Sequence, residues 1–215
     1  MEVKICGLRS RGDLAAAAGA GATWGGLVFY PASPRHVSPA DARWIAAGRP
    51  EGLKLVALTV DATDAEIEAI LGEIPVEMLQ LHGAESPERA AAVRERFGLP
   101  VMKAVGVSEE GDLDGLPDYA GAVDMILVDA RPPAGAELPG GNGVAFDWRL
   151  VRDVGWPAPW MLAGGLTPEN VAEAVRLTGA ERVDVSSGVE KARGIKDRAR
   201  MEAFVKAALA AGDGG

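Results

Sequence analysis

The chain places one thiol and one carboxyl group where each could transfer a proton. Cys6, the only cysteine among the 215 residues, ends the apolar run VKIC, and Asp129 lies near the end of the run DMILVDA. An acid and a base that flank one substrate can catalyse proton transfers at that substrate. A single cysteine forms no disulfide within the chain, so Cys6 has either a packing role in the core or a chemical role.

Small residues form a second group that could bind a ligand. Gly164 and Gly165 end the seventh apolar run, and Ser186, Ser187 and Gly188 end the eighth. Glycine lets a backbone N–H approach an anion closely. In many barrels, phosphate binds at the loops after strands seven and eight and at a short extra helix. Such glycines often serve only turns, but the two groups together favour a phosphate site, with GVEKARG predicted to begin the extra helix.

Eight short apolar runs, each followed by a helix-like stretch, must position these residues. They are VKIC, TWGGLVFY, LKLVALTV, VEMLQLH, PVMKAVGV, DMILVDA, PWMLAGG and RVDVSSG. Nearly continuous apolar runs are typical of parallel strands covered by helices. The pattern predicts one (β/α)8 barrel over residues 1–215, with its site at the C-terminal ends of the strands. A doubly wound sheet is disfavoured, because its Gly-x-Gly-x-x-Gly turn is replaced by CGLRSRG.

Strand alternation predicts which polar residues share the inner face of the barrel. Residues two apart point the same way, which pairs Lys4 with Cys6, Gln80 with His82, and Asp184 with Ser186. Other polar strand ends are Lys103 and the SPR segment that contains Arg35. Three helices are expected to begin at proline behind a capping hydroxyl, in the pairs Ser38-Pro39, Ser86-Pro87 and Thr167-Pro168. Trp148 is expected to seat the sixth helix.

Charge and composition narrow the classes of partner. The net charge of −9 argues against an extended nucleic-acid surface, and a small molecule fits better. No stretch approaches the roughly 18 apolar residues of a membrane span, and the start of the chain lacks a signal sequence, so a cytoplasmic location is expected. With only two histidines, His36 and His82, no metal site is expected. His82 has the alternative of an interior histidine bonded to a backbone carbonyl.

Several motifs occur in an order that resembles one known family. They are VKICGL, SPR, LQLHG, VDA before a glycine-rich loop and FDW, LAGGLTPENV, and DVSSGVE with GIKD. From Val3 to about Phe204 the chain resembles the phosphoribosylanthranilate isomerases of tryptophan biosynthesis. The resemblance implies a cofactor-independent Amadori rearrangement of N-(5-phosphoribosyl)anthranilate to 1-(2-carboxyphenylamino)-1-deoxyribulose 5-phosphate. It also implies a phosphorylated small-molecule partner, no nucleic acid or membrane, and a monomer or homodimer.

The resemblance also implies roles for individual residues. Asp129 would be the general acid, Cys6 the general base, and Arg35 the group that binds the anthranilate carboxylate. Gln80, His82 and Asp184 are candidates for lining the substrate. A surface salt bridge is the alternative for Arg35. The family pattern is broken at Asn142, within the loop Gly140-Gly141-Asn142-Gly143 where a threonine is usual, and at Thr59, where phenylalanine is frequent.

Three other classes of protein are weighed against this one. An epimerase on a phosphate-binding barrel is expected to carry a metal-binding histidine pair, which these two histidines do not supply. The related histidine-pathway isomerases use an aspartate as base in the first strand, where this chain has Cys6. A non-catalytic sugar-phosphate binding barrel would be favoured only by loss of the acid or the base.

The proposed chemistry places a demand on both side chains. A free aspartic acid has a pKa of about 3.9 and a free cysteine one of about 8.5, so a site that uses them near neutral pH must move the two values towards each other. Burial would raise the pKa of the acid, and a nearby cation would favour the thiolate. Lys4 is the candidate cation, with an ion pair to Asp184 as the equal alternative.

Overall fold

Eight parallel strands close into a barrel in the computed structural model, which describes residues 1–131 and 145–212. Neighbouring strands pair in chain order, and β1 pairs with β8 to complete the ring. The strands are β1 Glu2–Cys6, β2 Trp24–Val28, β3 Lys54–Thr59, β4 Met78–Leu81, β5 Val101–Val107, β6 Met125–Ala130, β7 Trp160–Leu162 and β8 Arg182–Val185. The predicted (β/α)8 barrel is confirmed.

Six α-helices of the described ranges cover the barrel. They are α1 Arg11–Ala20, α2 Pro39–Ala46, α3 Asp64–Leu71, α4 Pro87–Phe97, α5 Val171–Thr178 and α6 Arg198–Gly212. The side chains of Ser38 and Ser86 cap α2 and α4 as predicted, by accepting from backbone N–H groups in the first turn. No helix in these ranges is long and apolar enough to cross a membrane.

The predicted start of α5 is wrong. Pro168 lies in a turn over residues 168–170, and the helix begins only at Val171. The Asn170 side chain accounts for the delay, because it accepts from the Thr167 N–H and donates to the Gly165 carbonyl, which holds the turn outside the helix.

The prediction of an α-helix after every strand is also wrong. Two short 3₁₀ helices, Glu110–Leu113 and Leu116–Tyr119, follow β5, where glycines and a proline disfavour a longer helix. Trp148 begins another 3₁₀ turn, Trp148–Val151, and packs on the core without seating an α-helix. The departure from the family pattern at Asn142, in the loop 140–143, lies outside the residues that the structure describes.

Alternation along the strands separates two cores. Residues on the outer faces pack under the helices, whereas a second cluster fills the barrel with Trp24, Val56, Met78, Met102, Ala104, Met125, Leu127, Met161 and Ala163. Lys4 and Asp184 are both buried, and they are direct partners in the register of the adjacent strands β1 and β8. The inner-face positions above them therefore open toward the C-terminal mouth of the barrel.

A small hairpin replaces most of the predicted extra helix. After β8 the chain makes one 3₁₀ turn, Ser187–Val189, and then forms the antiparallel strands β9 Glu190–Ala192 and β10 Ile195–Lys196. Gly194 adopts a φ of +77° in the connecting turn, a conformation that glycine accepts without strain. We call residues 190–196 the β9–β10 hairpin.

Candidate active site

Cys6 ends β1 on the inner face of the barrel. Its side chain packs with Val28 and Leu58 and is only 5% exposed. Gly26 is its partner on β2, and a Cβ added at Gly26 would lie 2.9 Å from the Cys6 Sγ. A larger residue at position 26 would therefore displace the thiol. Gly26 was not predicted from the sequence, although it lies in the glycine pair of the second apolar run.

Lys4 interacts with both candidate partners. Its side chain is fully buried, and its Nζ donates to the Asp184 Oδ1 at 2.9 Å. Burial lowers the pKa of Lys4, but Asp184 and Cys6 together raise it above the ordinary lysine value. Lys4 is thus held as a cation between the carboxylate and the thiol.

The Cys6 thiol does not become more acidic in this site. Burial raises the pKa of Cys6, and Asp184 adds to the rise. Lys4, Lys196 and Arg35 lower it, but they do not cancel the cost of desolvating a thiolate. The expectation of a lowered thiol pKa is therefore wrong here, although the predicted cation is present.

Replacing Lys4 with methionine is expected to raise the pKa of Cys6 further, because the largest opposing charge is lost. Alkylation by iodoacetamide should slow several-fold at a fixed mildly alkaline pH, since only the thiolate reacts. Alkylation reports on Cys6 alone, because the chain has no other cysteine. Lys103→Met is the matched control: Lys103 is equally an ion-paired buried lysine, bonded to Glu85. An unchanged thiol pKa in Lys4→Met would contradict the assignment.

Asp129 lies near the end of β6 and faces the histidine predicted on β4. The His82 Nε2 is 3.4 Å from the Asp129 Oδ2, and the side chains are 11% and 14% exposed. The Gln80 Nε2 lies 2.9 Å from the His82 Nδ1. With the Gln80 amide in this orientation, its nitrogen donates to Nδ1, so Nε2 carries a ring proton on the side of Asp129. Side-chain partners thus hold His82, in place of the backbone carbonyl considered above.

Gln80 also presents an unsatisfied acceptor. Its side chain is fully buried, and its Oε1 has no hydrogen-bond partner among residues 1–131 and 145–212. A buried carbonyl without a partner is costly, so a donor on a bound molecule would be favoured there.

Arg35 is buried. The alternative prediction, that it forms a salt bridge on the surface, is therefore wrong. Its Nε and Nη2 donate to the two carboxylate oxygens of Glu190 at 2.7 and 3.0 Å. Burial alone would raise the pKa of Glu190, but Arg35, Lys196 and the Gly194 N–H lower it to about 2. Neither Glu190 nor Lys196 was predicted from the sequence. Charged residues on both sides of a glycine turn, directly after the predicted phosphate segment, were the available signal.

The two predicted phosphate-binding segments lie close together, because Gly188 packs against Leu166, the residue after Gly165. Gly164 and Gly165 have φ values of +81° and +64°, and a Cβ at Gly188 would lie 1.9 Å from the Leu166 carbonyl oxygen. Only glycine therefore fits at position 188 with this backbone. The Ser186 hydroxyl donates to the Cys6 carbonyl at 3.2 Å, which joins this segment to the end of β1. Ser187 begins the 3₁₀ turn that follows.

Two further polar positions lie apart from the inner face. Lys103 alternates with Met102 and Ala104 of the inner cluster, so it points away from the barrel interior toward Glu85. Thr59 is buried on the outer face of β3. In the described part of the chain, no group of three or more histidine, cysteine, aspartate or glutamate side chains could hold a metal ion.

Comparison with known proteins identifies the family. The model for N-(5'-phosphoribosyl)anthranilate isomerase matches residues 3–207. The isomerase of that name from Cereibacter sphaeroides is 61% identical over 208 residues, which cover 97% of this chain and 98% of the relative. The one from Ruegeria sp. is 56% identical over 211 residues, 98% of each chain.

Solved structures agree with these relatives. The phosphoribosylanthranilate isomerase of Thermotoga maritima superposes with a TM-score of 0.86 at 36% identity, over 98% of this chain and 99% of the other. A second isomerase structure, in complex with reduced 1-(o-carboxyphenylamino)-1-deoxyribulose 5-phosphate, has a TM-score of 0.84 at 35% identity over the same shares. The chain belongs to the N-(5'-phosphoribosyl)anthranilate isomerase family.

Proposed function

We propose that Asp129 and Cys6 are the acid and the base with which this enzyme isomerises N-(5'-phosphoribosyl)anthranilate in tryptophan biosynthesis. The observation that carries the proposal is the placement of both side chains at the C-terminal ends of inner-facing strands of one barrel, each with a polar neighbour. Lys4 neighbours the thiol, and His82 neighbours the carboxyl group. A proton donor and a proton acceptor at one barrel mouth are what the rearrangement requires.

Asp129 acts first, as the general acid. Its protonated carboxyl donates to the ring oxygen of the ribose, the bond from that oxygen to C1 breaks, and C1 becomes the carbon of an iminium ion. The reaction leaves a carboxylate at Asp129. The His82 Nε2 lies 3.4 Å from the Asp129 Oδ2, so the proton that it carries stabilises the negative charge that forms as the Asp129 proton leaves.

Cys6 acts second, as the general base. Its thiolate removes the proton from C2, and the electron pair of that bond forms a C1–C2 double bond while the iminium nitrogen regains its lone pair. The resulting enolamine loses its hydroxyl proton and gains a proton at C1, which gives the ketone. Lys4 favours the thiolate that this step needs, since a positive charge opposes the effect of burial on Cys6.

The remaining residues bind and orient the substrate. Arg35 is assigned to the anthranilate carboxylate, because a guanidinium binds a carboxylate strongly. The phosphate is assigned to Gly164 and Gly165 together with the segment Ser186, Ser187 and Gly188. Gln80, His82 and Asp184 line the space between, with Asp184 acting through its ion pair to Lys4. We propose a monomer or homodimer in the cytoplasm, with this phosphorylated molecule as its partner.

Turnover of freshly made phosphoribosylanthranilate tests the function. The purified protein is expected to consume the substrate, with loss of its fluorescence, and to form the 1-deoxyribulose 5-phosphate isomer without any added metal or cofactor. Protein alkylated at Cys6 is the matched control and should be inactive, because Cys6 is the only cysteine. Failure of the unmodified protein to form the isomer would contradict the function.

A further inference from the structure

One buried carboxylate joins two segments at the mouth of the barrel. Glu190 accepts from the Nε and Nη2 of Arg35, which belongs to the loop after β2. It also accepts from the Gly194 N–H at 3.0 Å and from the Lys196 Nζ at 3.0 Å, both in the β9–β10 hairpin. The Glu190 side chain is 5% exposed and that of Arg35 is 6% exposed. The pair is therefore screened from water and holds a defined geometry.

Lys196 extends this cluster to the proposed phosphate segment. Its Nζ donates to the Ser186 carbonyl at 2.8 Å as well as to Glu190. Burial lowers the pKa of Lys196, an effect that Glu190 opposes. Glu190 thus opposes the charges of two buried cations, whose burial without a carboxylate would be costly.

The aliphatic part of the Arg35 side chain is also closely packed. A Cβ built at Gly7 would lie 2.6 Å from the Arg35 Cδ, so the chain directly after Cys6 packs against this part. On the other side, a Cβ at Gly194 would lie 2.7 Å from the Pro34 carbonyl oxygen. The loop after β2 thus packs against the end of β1 on one side and against the β9–β10 hairpin on the other.

We propose that Glu190 is a positioning residue, which fixes the Arg35 guanidinium in the orientation that receives the anthranilate carboxylate. The inference rests on the proposed function, because it takes Arg35 as the carboxylate-binding group. A free arginine side chain loses much rotational entropy when it is ordered. Where Glu190 has already ordered Arg35, substrate binding avoids that loss, which increases affinity for the carboxylate without a direct contact from Glu190.

Glu190→Gln tests this role, because it keeps the shape and removes the charge. Glutamine places an NH₂ group where a carboxylate oxygen accepted from Arg35, so the guanidinium loses its fixed orientation. Two probes are compared by calorimetry: reduced 1-(o-carboxyphenylamino)-1-deoxyribulose 5-phosphate and the same amine without its carboxyl group. We expect Glu190→Gln to weaken binding of the first about tenfold and to leave the second nearly unchanged, the effect of one charge-assisted bond.

Two controls separate positioning from loss of structure. Glu77→Gln removes the carboxylate of a partly exposed Arg49 ion pair at the N-terminal end of β4, and it should change neither affinity. In an Arg35→Met background, Glu190→Gln should cost no further affinity for the carboxylated probe, because a positioning residue acts only through its partner. Turnover should show a raised KM with kcat nearly kept.

The outcomes distinguish this inference from the proposed function. Equal weakening of both probes by Glu190→Gln, or full additivity with Arg35→Met, would overturn the positioning role even where the wild type turns over substrate. Tighter binding of the carboxylated probe would also overturn it, since that is the result expected if Glu190 only neutralises charge. Lack of wild-type turnover would contradict the function, whatever the probes show.

Discussion

Asp129→Asn is expected to lower kcat about a thousandfold, within the range that general acid catalysis contributes. Asparagine keeps the size of the side chain but has no acidic proton to give to the ring oxygen. The hydrogen bond from the Ala130 N–H to the Asp129 Oδ1, at 2.8 Å, can be kept by an amide oxygen, so the local backbone should hold. KM should therefore change little, because the substrate-binding groups remain in place.

The assay follows initial rates of phosphoribosylanthranilate consumption, with the midpoint of thermal unfolding measured in parallel. Asp118→Asn is the matched control, since Asp118 is an exposed carboxylate in the 3₁₀ helix Leu116–Tyr119, outside the strand that carries Asp129. It should retain full activity. An Asp129→Asn enzyme that works at the wild-type rate would remove Asp129 from the mechanism and leave the acid unassigned.

Cys6→Ser is expected to reduce kcat to a comparable extent, about a thousandfold, because a serine hydroxyl ionises far less readily than a thiol and so is a poor base. The oxygen is smaller than sulfur, so the serine side chain fits in the space beside Gly26 without strain. Loss of activity with an unchanged unfolding midpoint would then report on chemistry alone.

The pH dependence gives the Cys6 prediction a second readout. Burial raises the pKa of the thiol in the free enzyme, so thiol predominates at neutral pH and the thiolate fraction grows as the pH rises. The kcat/KM of the wild type should therefore increase with pH above neutrality. In Cys6→Ser this rise should disappear. Persistence of the same rise in the variant would assign it to another group and contradict the role of Cys6 as base.

The sequence predicted the barrel and its inner face well, because both follow from local periodicity. Eight apolar runs determine the strands, and alternation places Lys4 beside Cys6 and Gln80 beside His82. The segments that connect the strands were predicted less well from the sequence. The stretch after β5 forms 3₁₀ turns, and Asn170 delays α5 through bonds to backbone groups that no periodicity reveals.

The electrostatics of the site depended on contacts between distant segments. Arg35 and Glu190 are 155 positions apart, so nothing in either neighbourhood of the sequence indicated that they pair. The direction in which the pKa of Cys6 shifts depends on a balance between burial and several charges. Strand alternation predicted only one of those charges, that of Lys4. Both require the closed barrel before they can be stated.

The Lys4 ion pair also bears on how the protein is made. Lys4 lies in the first strand of the barrel to be synthesised, whereas its partner Asp184 is 180 positions later. The Ser186 hydroxyl that bonds the Cys6 carbonyl is likewise 180 positions after Cys6. Until β8 is synthesised, burying Lys4 would leave a charge without compensation, which costs several kcal/mol. A growing chain therefore gains little by packing β1 early. Pairing of β8 with β1 closes the barrel, and it brings Asp184 and Ser186 to Lys4 and Cys6 in the same step.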